Sequence, residues 1–90
     1  MSQAFLKTVH RIHVVGKCPL GCDDIYEIEF HIDSVVIPVE RIQEVITQLT
    51  KDPIYQEDLT RRLCECLQCK IISRGTHSKF VTECIAEWRA

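Results

Sequence analysis

The run Cys18-Pro19-Leu20-Gly21-Cys22-Asp23-Asp24 sets two thiols and two carboxylates within seven residues. A thiol with a carboxyl beside it can act as a nucleophile with its own proton donor. Two thiols at this spacing can also form half of a metal site. The third reading is a turn in which Pro19 and Gly21 set the backbone and both thiols are passengers. A second thiol pair, Cys66 and Cys69, follows later, so Cys18, Cys22, Cys66 and Cys69 together could bind zinc as a C-x3-C and a C-x2-C.

Length and composition limit what can position these groups. Ninety residues at 46% hydrophobic make one domain, spanning residues 1–90. A chain of this size buries only about 60 to 65% of its unfolded surface, so a lone subunit is marginal. The net charge of −2 comes with both signs interspersed and no basic run, so general electrostatic capture of nucleic acid is not expected. Residues 1–7 carry no basic region leading into an apolar stretch, and no apolar segment approaches the length of a membrane span. The expectation is a soluble, cytoplasmic protein without membrane contact. Its six cysteines then read as free thiols or metal ligands rather than disulfides. Cys64, Cys66 and Cys84 fall in periodic segments, where cysteine acts as a small buried hydrophobe.

Phe5 to Val15 is rich in β-branched and aromatic residues and runs into Gly16, which predicts a strand closed by a turn. From Asp24, Tyr26, Ile28, Phe30 and Ile32 alternate with Glu27, Glu29 and His31, the pattern of a half-buried strand. Behind Pro38 the period changes: Val39, Ile42, Val45, Ile46 and Leu49 predict a helix from about Pro38 to Thr50. Asp52 and Pro53 are read as the cap and first residue of a second helix, with Tyr55, Leu59, Leu63, Cys66 and Leu67 on its apolar side. Lys70 to Arg74 predicts a short strand turned by Gly75. Phe80, Thr82, Cys84, Ala86 and Trp88 alternate along a last one.

The order strand, strand, helix, helix, strand, strand is α+β: an antiparallel sheet with both helices on one face. Its two open edges tend to pair with other chains, and such pairing would enlarge the small core, so a homo-oligomer is expected. His10, His13 and His31 read as surface or satisfied residues. Trp88 reads as packing.

This element order, Gln56-Glu57-Asp58-Leu59-Thr60 opening helix two, and Arg74-Gly75 followed by Ser78-Lys79-Phe80-Val81-Thr82 resemble the tunnelling fold, or T-fold. That superfamily includes GTP cyclohydrolase I, 7-cyano-7-deazaguanine reductase and the reductase-like amidinotransferases that make archaeosine. The resemblance covers residues 9–88 and implies a ββααββ subunit that oligomerises into a barrel. It implies that Glu57 anchors the amidine edge of a purine-like or pterin-like base. A carboxylate can accept two bonds from adjacent N–H groups there, and the helix N-terminus favours its charge. On the residues alone, Glu57 reads equally as a solvated side chain complementing the helix dipole. The resemblance also makes Gln56 a base-side neighbour, and lets His77 and Arg74, together in the last hairpin, reach a base or phosphate across a subunit interface.

Nitrile-processing members carry a Cys-Pro pair followed by an aspartate at the start of the next strand. Cys18-Pro19 and Asp24 are similar, with an interval one residue shorter and Asp23 as the substitute. The resemblance then implies that Cys18 adds to the nitrile of 7-cyano-7-deazaguanine to give a thioimide while Asp24 supplies the proton. The reductase's cofactor-binding stretch is replaced here by Val35-Val36-Ile37-Pro38-Val39-Glu40, so NADPH is not expected and the implied chemistry is non-reducing. Gln56-Glu57 is closer to GTP cyclohydrolase I, but Ile25 stands where that enzyme's zinc-binding histidine would, between Cys22 and Cys69. No cofactor is favoured, and zinc is the alternative. The function expected is modified-nucleoside biosynthesis on a 7-deazaguanine, with the base free or in tRNA. A cyclohydrolase-like pterin activity and a non-catalytic binding module are the rivals.

Overall fold

Strict alternation along residues 23–33 dictates a strand with one apolar face, and the computed structural model, which describes residues 3–21 and 23–89, contains it. Strand β1, Lys7–Lys17, pairs antiparallel with β2, Asp23–Asp33, in unbroken register from Lys7↔Asp33 to Lys17↔Asp23. The connecting turn is closed by the Gly21 N–H donating to the Cys18 carbonyl at 2.9 Å. Pro19 supplies the fixed φ that such a turn accepts, and Gly21 follows at φ +95°, a left-handed conformation suited to glycine. Gly16 does not close the strand as expected. It lies inside β1 and is buried, because the ring of Tyr26 from β2 occupies the space a side chain would need.

Helix α1, Val39–Leu49, follows Pro38 and buries Ile42, Val45 and Ile46. Helix α2, Gln56–Leu67, begins three residues later than Asp52 and Pro53 suggest. The Ile54 N–H donates to the Lys17 carbonyl at 2.9 Å, and that tie keeps the chain extended through Tyr55 (ψ 148°) before the helix can start. The buried side of α2 carries Gln56, Leu59, Thr60, Leu63, Cys64 and Leu67. Cys66 and Tyr55, expected on that side, are exposed. The helix is rolled toward β3 because Thr60 and Gln56 both bond to Ser73.

Strand β3, Lys70–His77, runs through Gly75 instead of turning there, and the hairpin to β4, Phe80–Ala86, turns at Ser78-Lys79 with Ser78 at φ 56°. The sheet order is β1-β2-β3-β4, so β1 and β4 are both edges. The core between the sheet and the two helices centres on Tyr26, Ile28, Phe30, Ile32, Leu59, Leu63 and Ile71. Trp88 lies beyond β4 and is half-exposed.

The opposite face is helix-free and polar at its middle. Glu29, only 7% exposed, accepts from Arg11 at 3.0 Å and Arg74 at 2.9 Å and contacts His31 at 3.0 Å. Those bonds, led by the one to His31, hold its carboxyl down at about 2. Among the described residues no helix is long and apolar enough to cross a membrane.

Candidate active site

Tyr26 forms the floor of the site, and two glycines let it do so. A Cβ at Gly16 would stand 2.7 Å from the ring's Cε2, and one at Gly75 would stand 2.7 Å from Cδ1. With both side chains absent the ring lies between β1 and β3, and its hydroxyl donates to Asp24 Oδ2 at 3.3 Å. Burial, and then the charge of Asp24, push the phenol above its usual range, so it stays a neutral donor.

Asp24 Oδ2 also stands 3.2 Å from Nδ1 of His77, at the end of β3. On the other side of the imidazole, Nε2 is 2.8 Å from Gln56 Oε1. The Gln56 amide is oriented by its other contacts: Nε2 donates to the Ser73 carbonyl (3.3 Å), to Ser73 Oγ (3.1 Å) and to the Thr82 carbonyl (3.1 Å). Carbonyls only accept, so the amide nitrogen faces them and the amide oxygen faces His77. Thr60 Oγ1 donates to the Gln56 carbonyl at 2.7 Å, which leaves Ser73 as the donor in its 2.6 Å bond with Thr60. Gln56, Thr60 and Ser73 are all buried, so this closed network joins the start of α2 rigidly to β3 and β4.

The tie from Ile54 to Lys17 then has a functional consequence, since Lys17 precedes Cys18. It sets the Cys18 turn beside the first turn of α2. Cys18, Gln56, Glu57 and His77 line one pocket of about 320 Å³, together with Leu20, Tyr26, Tyr55, Phe80 and Thr82. Cys18 is half-buried and Glu57 is exposed to the pocket opening, in the first turn of α2 where the helix dipole favours a carboxylate. Leu20, Tyr55 and Phe80 are large apolar side chains exposed at its mouth, at 79%, 45% and 74%. Polar groups convergent at the bottom of an open apolar cleft are the usual construction of a small-molecule site.

Five of the six residues singled out from the sequence therefore come together here: Cys18, Asp24, Gln56, Glu57 and His77. Arg74 does not. It precedes Gly75 on β3 and so points to the helix-free face, where Glu83 (2.7 Å), Glu29 (2.9 Å) and Glu27 (3.3 Å) hold its guanidinium. Gln56 is spent on protein groups rather than left free for a ligand, and His77 is met by Asp24 and Gln56 of its own chain. Tyr26, Tyr55 and Phe80 were missed. The signal that could have exposed Tyr26 is the pair of glycines, Gly16 and Gly75, inside strands that need none for a turn.

The four-thiol alternative fails on geometry. Cys18 is at the β1–β2 turn, whereas Cys69 precedes β3 at the end paired with His31. At about 3.3 Å per residue the two ends are some 25 Å apart. Cys66 is exposed on α2, and burial pushes the Cys69 thiol up to about 11. Cys22, the remaining member of this set and of the cyclohydrolase-type set, lies outside the described residues. Ile25 is exposed on the helix-free face. Among the described residues no three histidine, cysteine or acidic side chains converge to hold a metal.

No protein-family model and no curated protein matches the chain by sequence. A solved structure does match in three dimensions: the crystal structure of the archaeosine synthase QueF-Like in the apo form superposes with a TM-score of 0.76 over 98% of this chain and 96% of that one, at 17% identity. The fold is the tunnelling fold. The T-fold accounts for the ββααββ order and the position of both helices on one face of the sheet.

Proposed function

We propose that this T-fold protein binds a 7-deazaguanine-type base through Glu57 and captures the nitrile of 7-cyano-7-deazaguanine on Cys18, without reduction. The observation that carries this reading is that Cys18, Glu57 and His77 line one pocket, with Asp24 3.2 Å from His77. The similarity of fold to an archaeosine synthase supports the substrate class. Glu57 would accept two hydrogen bonds from the amidine edge of the base, with Tyr55 and Phe80 flanking its plane.

Cys18 Sγ would bond to the nitrile carbon as one π bond of C≡N breaks, and a proton delivered from Asp24 would complete the thioimide. An amine would then displace the thiol and leave an amidine, so no reductant is consumed and no NADPH is required. The base would be taken either free or within tRNA. We further propose a cytoplasmic homo-oligomer formed through the open β1 and β4 edges, which suits a chain with so small a core.

Intact mass spectrometry after mixing with 7-cyano-7-deazaguanine should show one covalent adduct, lost in Cys18→Ala. Wild-type protein that stays unmodified at saturating base would refute the nitrile chemistry. Formate release from GTP, with stoichiometric zinc, would support a cyclohydrolase instead. Reversible base binding alone would indicate a non-catalytic module.

A further inference from the structure

An aspartate carboxyl ordinarily titrates near ~3.9 and so has no proton to deliver at neutral pH. The donor role given to Asp24 therefore needs a proton source, and the structure contains one beside it. The fixed Gln56 amide turns its oxygen toward His77, so Nε2 of the imidazole must carry a hydrogen. Nδ1 faces the other way, 3.2 Å from Asp24 Oδ2. A bare Nδ1 lone pair facing a carboxylate makes the pair an acceptor for one further proton, which would lie between the two atoms. Tyr26 and Cys18 on the strand and turn beside it, Gln56 and Glu57 on α2, and Thr82 on β4 complete the surroundings of the imidazole. Among the described residues, Asp24 is paired with His77 and with no lysine or arginine, so no fixed cation competes with the imidazole.

We propose that Asp24 and His77 form a proton shuttle for Cys18, with Gln56 as the positioning residue that sets the histidine tautomer. This deepens the nitrile-capture reading and rests on it for the second half of the cycle. In the resting site His77 is neutral, Asp24 is a carboxylate and Cys18 is a thiol. The thiol proton passes to Asp24 and is stored on Nδ1 of His77. Once sulfur has bonded to the nitrile carbon, the same proton returns through Asp24 to the nitrile nitrogen. One S–H bond and one C–N π bond are broken, one S–C and one N–H bond are made, and the pair ends as it began.

The first test needs no substrate. In 15N-labelled protein the ring shifts of His77 should show Nε2 protonated throughout a titration. An Nδ1–H tautomer in the neutral ring would overturn the proposal. The second test follows thioimide formation in His77→Asn, after thermal melting has established that the variant is folded. The rate should drop roughly 10- to 100-fold near neutral pH and recover toward about pH 5, where a carboxyl can hold its own proton. A loss equal at every pH would assign His77 a merely structural role and sink the shuttle. If wild-type protein forms no adduct, the nitrile reading fails separately. The shuttle is then judged on iodoacetamide alkylation of Cys18, followed by peptide mass: His77→Asn should slow it near neutral pH, and an unchanged rate overturns the pair.

Discussion

Replacing Gly75 with alanine tests the construction of the site at one atom. The new Cβ would stand 2.7 Å from Tyr26 Cδ1, 3.0 Å from Cε1 and 3.1 Å from Gln56 Oε1. Carbon atoms in contact settle at about 3.5 to 4.0 Å, so the overlap is on the order of 1 Å. The ring has no room on its far edge, because a Cβ built at Gly16 is already only 2.7 Å from Cε2 and the β1 backbone lies just behind. Tyr26 is fully buried and cannot swing to solvent. Overpacking of this kind costs about 1 to 3 kcal/mol. In a domain of this size each kcal/mol moves Tm by roughly 4 to 8 °C, which gives an expected fall of about 5 to 20 °C. Urea unfolding should show a lower midpoint at unchanged m-value. In a Tyr26→Leu background, where the ring is absent, most of the penalty should disappear, with a coupling of about 0.5 to 3 kcal/mol. A Gly75→Ala protein within ~0.5 kcal/mol of wild type, or a penalty that persists without the ring, would refute this account of how Tyr26 is held.

Three further outcomes are expected. Glu57→Gln should weaken binding of guanine-type bases by about 10- to 100-fold in calorimetry, since a charge-assisted pair worth about 1.5 to 3 kcal/mol is reduced to a neutral one. Glu29 is held at about 2 in the folded chain against an ordinary 4.5, so it contributes stability that is present above pH 4.5 and lost as pH falls toward 2. Urea midpoints measured through that window should fall more steeply for wild type than for Glu29→Gln. Burial raises the thiols of Cys64, Cys69 and Cys84, so at about pH 8 thiol labelling followed by peptide mass should modify exposed Cys66 well before Cys64 or Cys69.

Much of the fold was legible from local pattern. The alternation from Tyr26 to Ile32 identified a strand and its buried face, and the three-and-four spacing from Ile42 to Leu49 identified α1, because both signals are written in neighbouring residues. Gly16 and Gly75 look like turn residues in sequence but are not, for the opposite reason. Each lacks a side chain to make room for a ring that arrives from another strand, and nothing near it in sequence records that ring. The start of α2 is later than the local pattern predicts because its delay comes from one hydrogen bond to Lys17, far away along the chain. Arg74 neighbours Gly75 and His77 in sequence, which suggests a ligand role, yet the strand's two-residue period sends it to the other face.

By itself the sequence determined the chemical types present: a thiol in a proline turn, a carboxylate opening the next strand, and a Gln-Glu pair opening a helix. It also determined the element order, since period 2 and period 3.6 are properties of consecutive residues. Only the tertiary structure decided which of these groups meet. The Lys17–Ile54 bond sets Cys18 against the start of α2, and the Gln56–Ser73–Thr60 network fixes which atom His77 faces. It also separated Cys18 from Cys69 by the length of the sheet. The physical reason is the same in each case: hydrogen bonds and packing between residues far apart in the chain are set by the sheet register and the roll of one helix, and no local pattern encodes either.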